Sequence, residues 1–226
     1  MANNRGTAST ERDTVVVIGL GRFGGAVANS LVRLGHEVLA IDENERIVQR
    51  WADKLTHVVQ ADSTDADALR QIGVPDFHRA VVGIGTDIEA SVLTVLALVE
   101  LEIPEVWAKA ITAKHGKILE RTGAHHVVYP EAAMGERVAH LVTGKMIDYI
   151  EFDDGFAIVK TRVPKEAAGR SLAEAALRTR YGVTVVGVKR PGEDFTYARP
   201  ETVITAGDLL IVSGDTQKVE RFAATT

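Results

Sequence analysis

A short aliphatic run that leads directly into a glycine-rich turn limits this 226-residue chain to few folds. The run TVVVIG, residues 14–19, does not alternate between apolar and polar side chains, which is typical of a strand buried on both faces of a parallel sheet. It continues as GLGRFG, residues 19–24, and then as a segment with helical periodicity. A strand, a GxGxxG turn and a helix in this order predict the first unit of a dinucleotide-binding sheet.

Segments typical of strands and helices then alternate as far as Pro130, with short connections. The predicted helices are residues 22–35, 44–54, 65–72, 88–99 and 114–122, and the later predicted strands are 37–42, a short one near Val58, 79–85, 105–110 and 125–130. Such alternation requires right-handed crossovers and gives a parallel sheet covered on both faces. Six strands correspond to two mononucleotide-binding halves, so the predicted fold class is α/β, a Rossmann-like doubly wound parallel sheet.

The pattern changes after a longer predicted helix at residues 131–146. Strands are predicted at 156–163, 182–190 and 208–214, with a Pro-Gly turn in 190–195 and one short helix at 171–177. These elements predict a second, smaller α+β domain. The sequence therefore divides into a flexible tail (1–12), a Rossmann-like nucleotide-binding domain (13–133), an exit helix and linker (134–150) and a C-terminal α+β domain (151–226).

The glycines of the turn, and the acid that ends the second strand, have specific expected roles. Gly19 allows the tight turn, Gly21 lets the backbone approach a pyrophosphate, and Gly24 lets the helix pack closely against the sheet. The phosphate would lie at the helix N-terminus, where unpaired N–H groups favour an anion. Asp42, expected as a strand-end side chain outside the core, would accept hydrogen bonds from an adenosine ribose and repel a 2′-phosphate. The alternative is a structural glycine turn without a ligand.

Residues beside this turn supply candidate cations for a nucleotide. Arg22 and Phe23 lie between the second and third glycines, and Lys109 ends the fifth predicted strand. Arg22 is the first candidate to bind a terminal phosphate, and Lys109 is the second. Each has the alternative interpretation of a solvated side chain.

Two further groups of candidate residues follow strand ends. Asp62, Ser63 and Thr64 come after the third strand, where they are expected to cap the next helix and could also contact the adenine side of a ligand. Gly83 and Gly85 end the fourth strand, beside the point where the two halves of the sheet meet. Glycine at that point lets a base lie close to the backbone.

Composition excludes several other classes of function. The chain has no cysteine, which excludes a cysteine nucleophile, a cysteine-ligated metal and a disulfide scaffold. Its net charge of −5 argues against nucleic acid as a partner. The first 14 residues lack the apolar core of a signal peptide, and the apolar stretch 92–99 is too short to span a bilayer. A cytoplasmic protein is therefore expected.

No catalytic motif accompanies the nucleotide-binding pattern. The seven histidines are scattered, and none stands where hydride transfer would need a proton-transfer group. The first hypothesis is therefore a nucleotide sensor that is not an enzyme. The alternative is a small NAD-dependent oxidoreductase. A third hypothesis, a nucleotide-sensing DNA-binding repressor, lacks the basic helix-turn-helix that it would need.

Several segments together resemble a known family. In the first domain they are VVVIGLGRFGGAVANSLVRLGHEVLAID, ADSTD, AVVGIG, VWAKA and GAHHVVYPEAAMGERVA, and in the second they are RSLAEAALRTRYGVTVVGVKR and TVITAGDLLIVSGD. Over about residues 13–222 the chain resembles the RCK (regulator of potassium conductance) proteins, in particular the cytosolic gating subunits of bacterial Ktr and Trk potassium uptake systems. It departs from the Gly-Asp-Ala-Thr often found in that family after the third strand, because it has Ala61 and Ser63 there.

The resemblance implies an assembly and a ligand. Homodimers would assemble into an octameric ring, which a membrane potassium pore would hold at the inner face of the membrane. The ring would respond to ATP and ADP, or alternatively to NAD and NADH, since residues 19–24 and Asp42 would serve the ADP moiety of either. The exit helix would cross to a partner subunit through its apolar stripe, which comprises Met134, Val138, Leu141 and Val142. The alternative is that the stripe packs within its own chain.

The resemblance also implies two further ligands. Glu131 of the Pro-Glu motif would hold Mg²⁺ or Ca²⁺ between two facing nucleotides and so offset their phosphate charge. The alternative is a helix-start carboxylate favoured by the helix dipole. Leu172, Ala173 and Arg178 would hold cyclic di-AMP at the dimer interface of the second domain, although Ala173 replaces a larger aliphatic residue. The alternative there is an ordinary dimer interface.

Overall fold

The computed structural model describes residues 14–143, 146–152 and 155–226, so the predicted tail at 1–12 lies outside the described residues. The chain separates into two compact units, the first ending at Glu131 and the second beginning at Ala132. Within the described ranges, no helix is both long enough and apolar enough to cross a lipid bilayer.

The first unit is built on a six-stranded sheet with the order β3-β2-β1-β4-β5-β6, in which every pairing is parallel. The strands are β1 (Thr14–Ile18), β2 (Glu37–Asp42), β3 (His57–Gln60), β4 (Arg79–Val82), β5 (Glu105–Lys109) and β6 (His126–Val128). The strand order reverses between β1 and β4, which opens a crevice at their carboxyl ends. The predicted doubly wound parallel sheet is confirmed.

Five α-helices connect these strands between residues 14 and 130. They are α1 (Arg22–Arg33), α2 (Glu45–Ala52), α3 (Ala66–Gln71), α4 (Ile88–Glu100) and α5 (Ala113–Thr122), with a short 3-10 turn at Val74–Asp76. Helices α2 to α5 are each preceded by a capping residue whose side chain accepts a hydrogen bond from a first-turn N–H group; these residues are Asn44, Asp65, Asp87 and Thr112. Helix α1 begins instead at Gly21, which has no side chain to cap it.

Strand β1 is buried on both faces, as its unbroken aliphatic run predicts. Val16 packs in the same core cluster as Leu98 of α4 and Leu119 of α5. Its neighbour Val17 points to the opposite face, where it packs with Ala28 of α1. Helices on both sides of the sheet therefore exclude water from the strand that leads into the glycine turn.

The second unit contains a five-stranded antiparallel sheet with the order β11-β10-β13-β8-β7. Helix α6 (Pro130–Thr143) begins two residues before the boundary between the units. The remaining elements are β7 (Met146–Phe152), β8 (Phe156–Arg162), β9 (Arg170–Ser171), α7 (Leu172–Ala175), α8 (Leu177–Tyr181), β10 (Thr184–Lys189), β11 (Phe195–Tyr197), β12 (Val203–Ile204), β13 (Leu209–Asp215) and α9 (Thr216–Ala223). The predicted smaller α+β fold is confirmed.

Three local predictions for this part of the chain are wrong. Strand β7 occupies residues that were expected to form a linker. A register shift after Met146 leaves the two buried residues, Met146 and Tyr149, three positions apart, which is the spacing of a helix face and not of a strand. The single helix expected at 171–177 is divided into α7 and α8, because Ala176 adopts a left-handed conformation with φ +50°. Helix α9 was not predicted, although Asp215 caps it and its apolar face is buried.

Candidate functional site

A cleft of about 240 Å³ lies at the carboxyl ends of β1, β2, β3 and β4. This is the point where the strand order reverses, which is where open α/β sheets bind their ligands. The cleft is lined by Ile18, Gly19, Gly21, Asp42, Glu43, Asn44, Ile47, Asp62, Ser63, Thr64, Gly83, Ile84, Gly85, Thr86, Asp87 and Ala90.

The glycine turn is held in a conformation that only glycine supports. Gly19 has φ +84°, and its N–H donates a 2.8 Å hydrogen bond to the carbonyl of Ile41 on β2. A Cβ on Gly24 would lie 1.9 Å from the carbonyl oxygen of Gly19, and one on Gly83 would lie 2.8 Å from the same oxygen. A Cβ on Gly21 would meet no atom within 4 Å. Gly24 and Gly83 are therefore needed for packing, whereas Gly21 leaves open space at the start of α1.

Asp42 holds the turn in place. Its Oδ2 accepts a 2.7 Å hydrogen bond from the N–H of Leu20, and its Oδ1 accepts one of 2.9 Å from the N–H of Asn44. Nε1 of Trp51 donates to the carbonyl oxygen of Leu20 at 3.2 Å, so both main-chain polar groups of that residue are engaged. The expectation that Asp42 lies outside the core is wrong, since only 8% of the residue is exposed. Each carboxylate oxygen retains a lone pair for a further donor.

The segment after β3 forms a turn of its own. Oδ1 of Asp62 accepts hydrogen bonds from the hydroxyl and the N–H of Thr64, at 2.7 and 2.9 Å, and these bonds lower the pKa of Asp62. The hydroxyl of Ser63 pairs with that of Thr94 on α4 at 2.8 Å in a buried contact. The prediction that these residues cap the next helix is wrong, because Asp65 provides the cap of α3.

The cleft is acidic apart from its glycine turn. Four carboxylates line it, and no lysine or arginine of the described chain does; the four are Asp42, Glu43, Asp62 and Asp87. Such a lining suits hydroxyl and amine donors, such as those of ribose and adenine, better than phosphate. The cleft residues that the sequence did not predict are Ile18, Glu43, Asn44, Ile47, Ile84, Thr86, Asp87 and Ala90. A signal for Asp87 was present, since an acid between a strand end and an apolar helix is typical of a cap.

The remaining predicted residues form a second group near the glycine turn. Nζ of Lys109 lies 2.6 Å from Oε1 of Glu131 and 5.9 Å from the ring centroid of Phe23. A Cβ on Gly85 would lie 3.1 Å from Cε of Lys109, so this group adjoins the cleft that Gly85 lines. Lys109 lowers the pKa of Glu131, and Arg22 adds a smaller effect in the same direction. The structure therefore pairs Lys109 with Glu131, and the charge of Arg22 acts on the same carboxylate.

In the second unit, Leu172, Ala173 and Arg178 line one pocket of about 350 Å³. The pocket is also lined by Ala176, Leu177, Thr179, Val183, Thr184, Val185, Ala198, Arg199 and Pro200. The two arginines can pair with anionic groups, and the aliphatic residues can contact a base.

Family matches cover both units of the chain. The TrkA-N domain family matches residues 15–130, and the TrkA-C domain family matches residues 157–225. The chain belongs to the RCK family. It is 38% identical to Ktr system potassium uptake protein A of Bacillus subtilis, over 91% of this chain and 93% of that protein. It is also 34% identical to Ktr system potassium uptake protein A of Vibrio alginolyticus, over 90% of this chain and 93% of that protein.

Solved structures show the same fold in this RCK chain and in a larger channel. A structure of the GsuK channel matches it with a TM-score of 0.66 and 20% identity, over 97% of this chain and 40% of the channel chain. The chain thus spans about 40% of that channel's length. The GsuK channel bound to NAD matches at a TM-score of 0.51 with 26% identity, over 95% of this chain and 38% of that one. The structure of GsuK bound to ADP matches with a TM-score of 0.51 and 28% identity, over 60% of this chain and 35% of that chain.

Proposed function

We propose that this chain is a nucleotide-sensing regulatory subunit of a potassium uptake system. The observation that carries the proposal is the glycine turn fixed between Asp42 and Trp51, with open space at Gly21 where α1 begins. A turn so held presents backbone N–H groups to a pyrophosphate without reorganisation. The Ktr proteins that the chain resembles are named for potassium uptake, which supports the choice of system.

ATP and ADP are the proposed ligands, with NAD and NADH as the alternative. The acidic cleft would hold the adenosine part, with the ribose hydroxyls donating to the free lone pairs of Asp42. GsuK has been solved with NAD and with ADP, which share this part of the molecule. Gly83 and Gly85 at the end of β4 leave room for the base beside the backbone.

The terminal phosphate is the natural point of discrimination, since ATP and ADP differ only there. In the described structure Lys109 is paired with Glu131. A γ-phosphate would compete for Lys109 and Arg22, which would release the carboxylate of Glu131. Glu131 could then hold Mg²⁺ or Ca²⁺, which prefer oxygen ligands, beside the phosphates. ADP would leave the Lys109–Glu131 pair closed, so the two nucleotides would stabilise different states.

Homodimers that assemble into an octameric ring are part of the proposal. Helix α6 exposes Met134, Val138 and Val142 by 53%, 45% and 78%, whereas Leu141 packs on the core of the second unit. An apolar stripe of this kind fits a partner subunit. The ring would be held at the inner face of the membrane by a potassium pore protein. The pocket containing Leu172, Ala173 and Arg178 would take cyclic di-AMP.

Two experiments test this function against the oxidoreductase alternative. Mass spectrometry of the purified protein identifies any retained nucleotide, and calorimetric titration compares ATP, ADP and NAD. Tighter binding of ATP or ADP than of NAD supports the proposal. Turnover of NADH, followed at 340 nm with candidate substrates, would favour the oxidoreductase instead. Equilibrium dialysis with labelled cyclic di-AMP tests the second pocket, where no retention at micromolar ligand would exclude it.

A further inference from the structure

The second unit holds a cluster of metal-ligating side chains away from the glycine turn in sequence. Glu136 and His140 lie one helical turn apart on α6, and Glu151 lies on β7. One potential ligand atom from each of the three side chains lies within 4.8 Å of the others. Residues four apart share a helix face, so α6 offers a carboxylate and an imidazole together, and β7 supplies a second carboxylate.

His140 is oriented by contacts on two sides. Its Nδ1 lies 3.1 Å from Oε1 of Glu220 on α9, and its ring stacks on Tyr149 with centroids 4.1 Å apart. When Nδ1–H donates to Glu220, the lone pair of the neutral ring is on Nε2. A carboxylate bound to the other nitrogen is the usual companion of a metal-ligating histidine, because it selects the tautomer and fixes the ring.

Glu151 is oriented in the same way. Its Oε2 accepts a 2.8 Å hydrogen bond from the hydroxyl of Tyr149, and its Oε1 accepts one of 3.1 Å from Thr216. Each oxygen of Glu151 keeps a free lone pair for a cation.

The cluster has a surplus of negative charge. It brings together the carboxylates of Glu136, Glu151 and Glu220, and none of these forms an ion pair with a lysine or arginine of the described residues. The arginine beside Glu136 in sequence, Arg137, is paired with Asp148 instead. A divalent cation would offset the mutual repulsion of these carboxylates.

We propose that Glu136, His140 and Glu151 bind a divalent transition metal of the zinc type, which would fasten α6 to β7. An imidazole ligand favours such ions over Mg²⁺ and Ca²⁺, which prefer oxygen alone. Ligand distances of about 2.0–2.2 Å place tetrahedral ligand atoms ~3.4 Å apart. The exposed side chain of Glu136 can close that gap by rotation. This site needs no nucleotide, so it is independent of the function proposed above.

The test uses the full chain, freed of metal by a chelator and without nucleotide. Titration with Co²⁺ is expected to produce visible d–d absorption of a nitrogen- and oxygen-ligated ion, saturating at one ion per chain. Zn²⁺ should displace it, whereas a tenfold excess of Mg²⁺ should not. His140→Gln should abolish the signal, and Glu136→Gln should weaken Co²⁺ binding at least tenfold. Glu220→Gln should weaken it by about 10- to 100-fold through His140.

His57→Gln is the matched control, because His57 is an exposed histidine on β3 of the first unit. It should leave Co²⁺ binding unchanged. If His140→Gln disturbs folding, as judged by circular dichroism, Glu136→Gln still decides the matter, because Glu136 is exposed. The proposal would be overturned if the wild type bound no stoichiometric Co²⁺. It would also be overturned if Glu136→Gln, and His140→Gln where that variant folds, bound Co²⁺ with wild-type affinity.

Discussion

The main-chain N–H of Leu20 donates a 2.7 Å hydrogen bond to Oδ2 of Asp42, which joins the glycine turn to the end of β2 across 22 residues of sequence. The same carboxylate accepts from Asn44, the cap of α2. Asp42 therefore has two roles, of which the sequence predicted only the binding of the ribose. It shapes the turn, and it is the candidate ligand of the ribose.

Replacing Asp42 should separate these roles. Asp42→Ala leaves the buried N–H of Leu20 without its acceptor, which costs roughly 1–3 kcal/mol of unfolding free energy and abolishes ATP and ADP binding. Asp42→Asn retains an acceptor, so it should lose less stability while still weakening binding at least tenfold. Urea denaturation and calorimetric titration measure the two effects. Glu120→Gln, an exposed change on α5, serves as the control. Wild-type affinity in Asp42→Ala would remove Asp42 from the site.

Two glycines of the turn should respond in opposite ways to alanine. Gly24→Ala places a methyl group 1.9 Å from the carbonyl oxygen of Gly19, so we expect about 2 kcal/mol or more of lost stability. Gly21→Ala adds its methyl group to open space and should change stability by less than about 0.5 kcal/mol. It should nevertheless reduce nucleotide affinity more than tenfold, because the space is where a pyrophosphate would lie. Equal nucleotide affinity in Gly21→Ala and wild type would contradict this assignment.

Glu131 should matter only when a terminal phosphate is present. Mg²⁺ or Ca²⁺ is expected to raise the melting temperature of the ATP-bound protein more than that of the ADP-bound protein. Glu131→Gln should keep ATP binding and lose this extra cation effect, since it removes the charge with little change in shape. The side chain of Glu131 is 62% exposed but that of Lys109 only 12%, so the melting temperatures without nucleotide are compared first to remove any effect of breaking this pair. The same cation-dependent shift in variant and wild type would leave Glu131 as a helix-start residue.

His115 makes the first unit sensitive to acid. The residue is 1% exposed, and its Nε2 has no hydrogen-bond partner among the described residues. Burial lowers the pKa of His115 below its ordinary value of 6.5, so the unfolded chain takes up the proton first as the pH falls. The neutral His115 therefore contributes its full stabilisation above pH 6.5. As the pH falls from 6.5 toward the lower pKa of the folded state, the free energy of unfolding decreases by up to about 1.4 kcal/mol per pH unit.

Unfolding of wild type and His115→Gln at pH 7.5 and 5.5 measures this contribution. Carboxylates titrate in both proteins, so the difference between the two pH dependences isolates the histidine. The variant should lose less stability on acidification than the wild type. His57→Gln, at an exposed site, should behave as the wild type does. Equal losses in His115→Gln and wild type would show that His115 does not titrate in this range.

The stripe on α6 predicts an even-numbered oligomer. Light scattering at micromolar concentration should give a dimer or a multiple of it, and Val138→Glu should shift the population toward smaller species by charging the stripe. Leu34→Glu adds the same charge at the end of α1, where the side chain is 74% exposed, and should leave the assembly unchanged. A wild-type monomer would count against the proposed ring.

Local sequence determined the first unit because its signals agree with one another. The aliphatic run of β1, the spacing of Gly19, Gly21 and Gly24, and the recurrence of strand and helix each point to the same parallel sheet. In the second unit the local sequence signals agree less well with the structure. Strand β7 lies at a sheet edge, and its register shift gives Met146 and Tyr149 the spacing of a helix face. The sequence carried no signal of that shift.

The two fold classes, the glycine turn and the residue types available for a nucleotide can all be inferred from local patterns in the chain. Which polar groups meet depends on the folded arrangement. Lys109 pairs with Glu131, and Ser63 pairs with Thr94, across stretches of chain that no local pattern connects. Backbone preferences and hydrophobic periodicity act within a few residues, whereas side-chain hydrogen bonds depend on which elements the sheet order brings together.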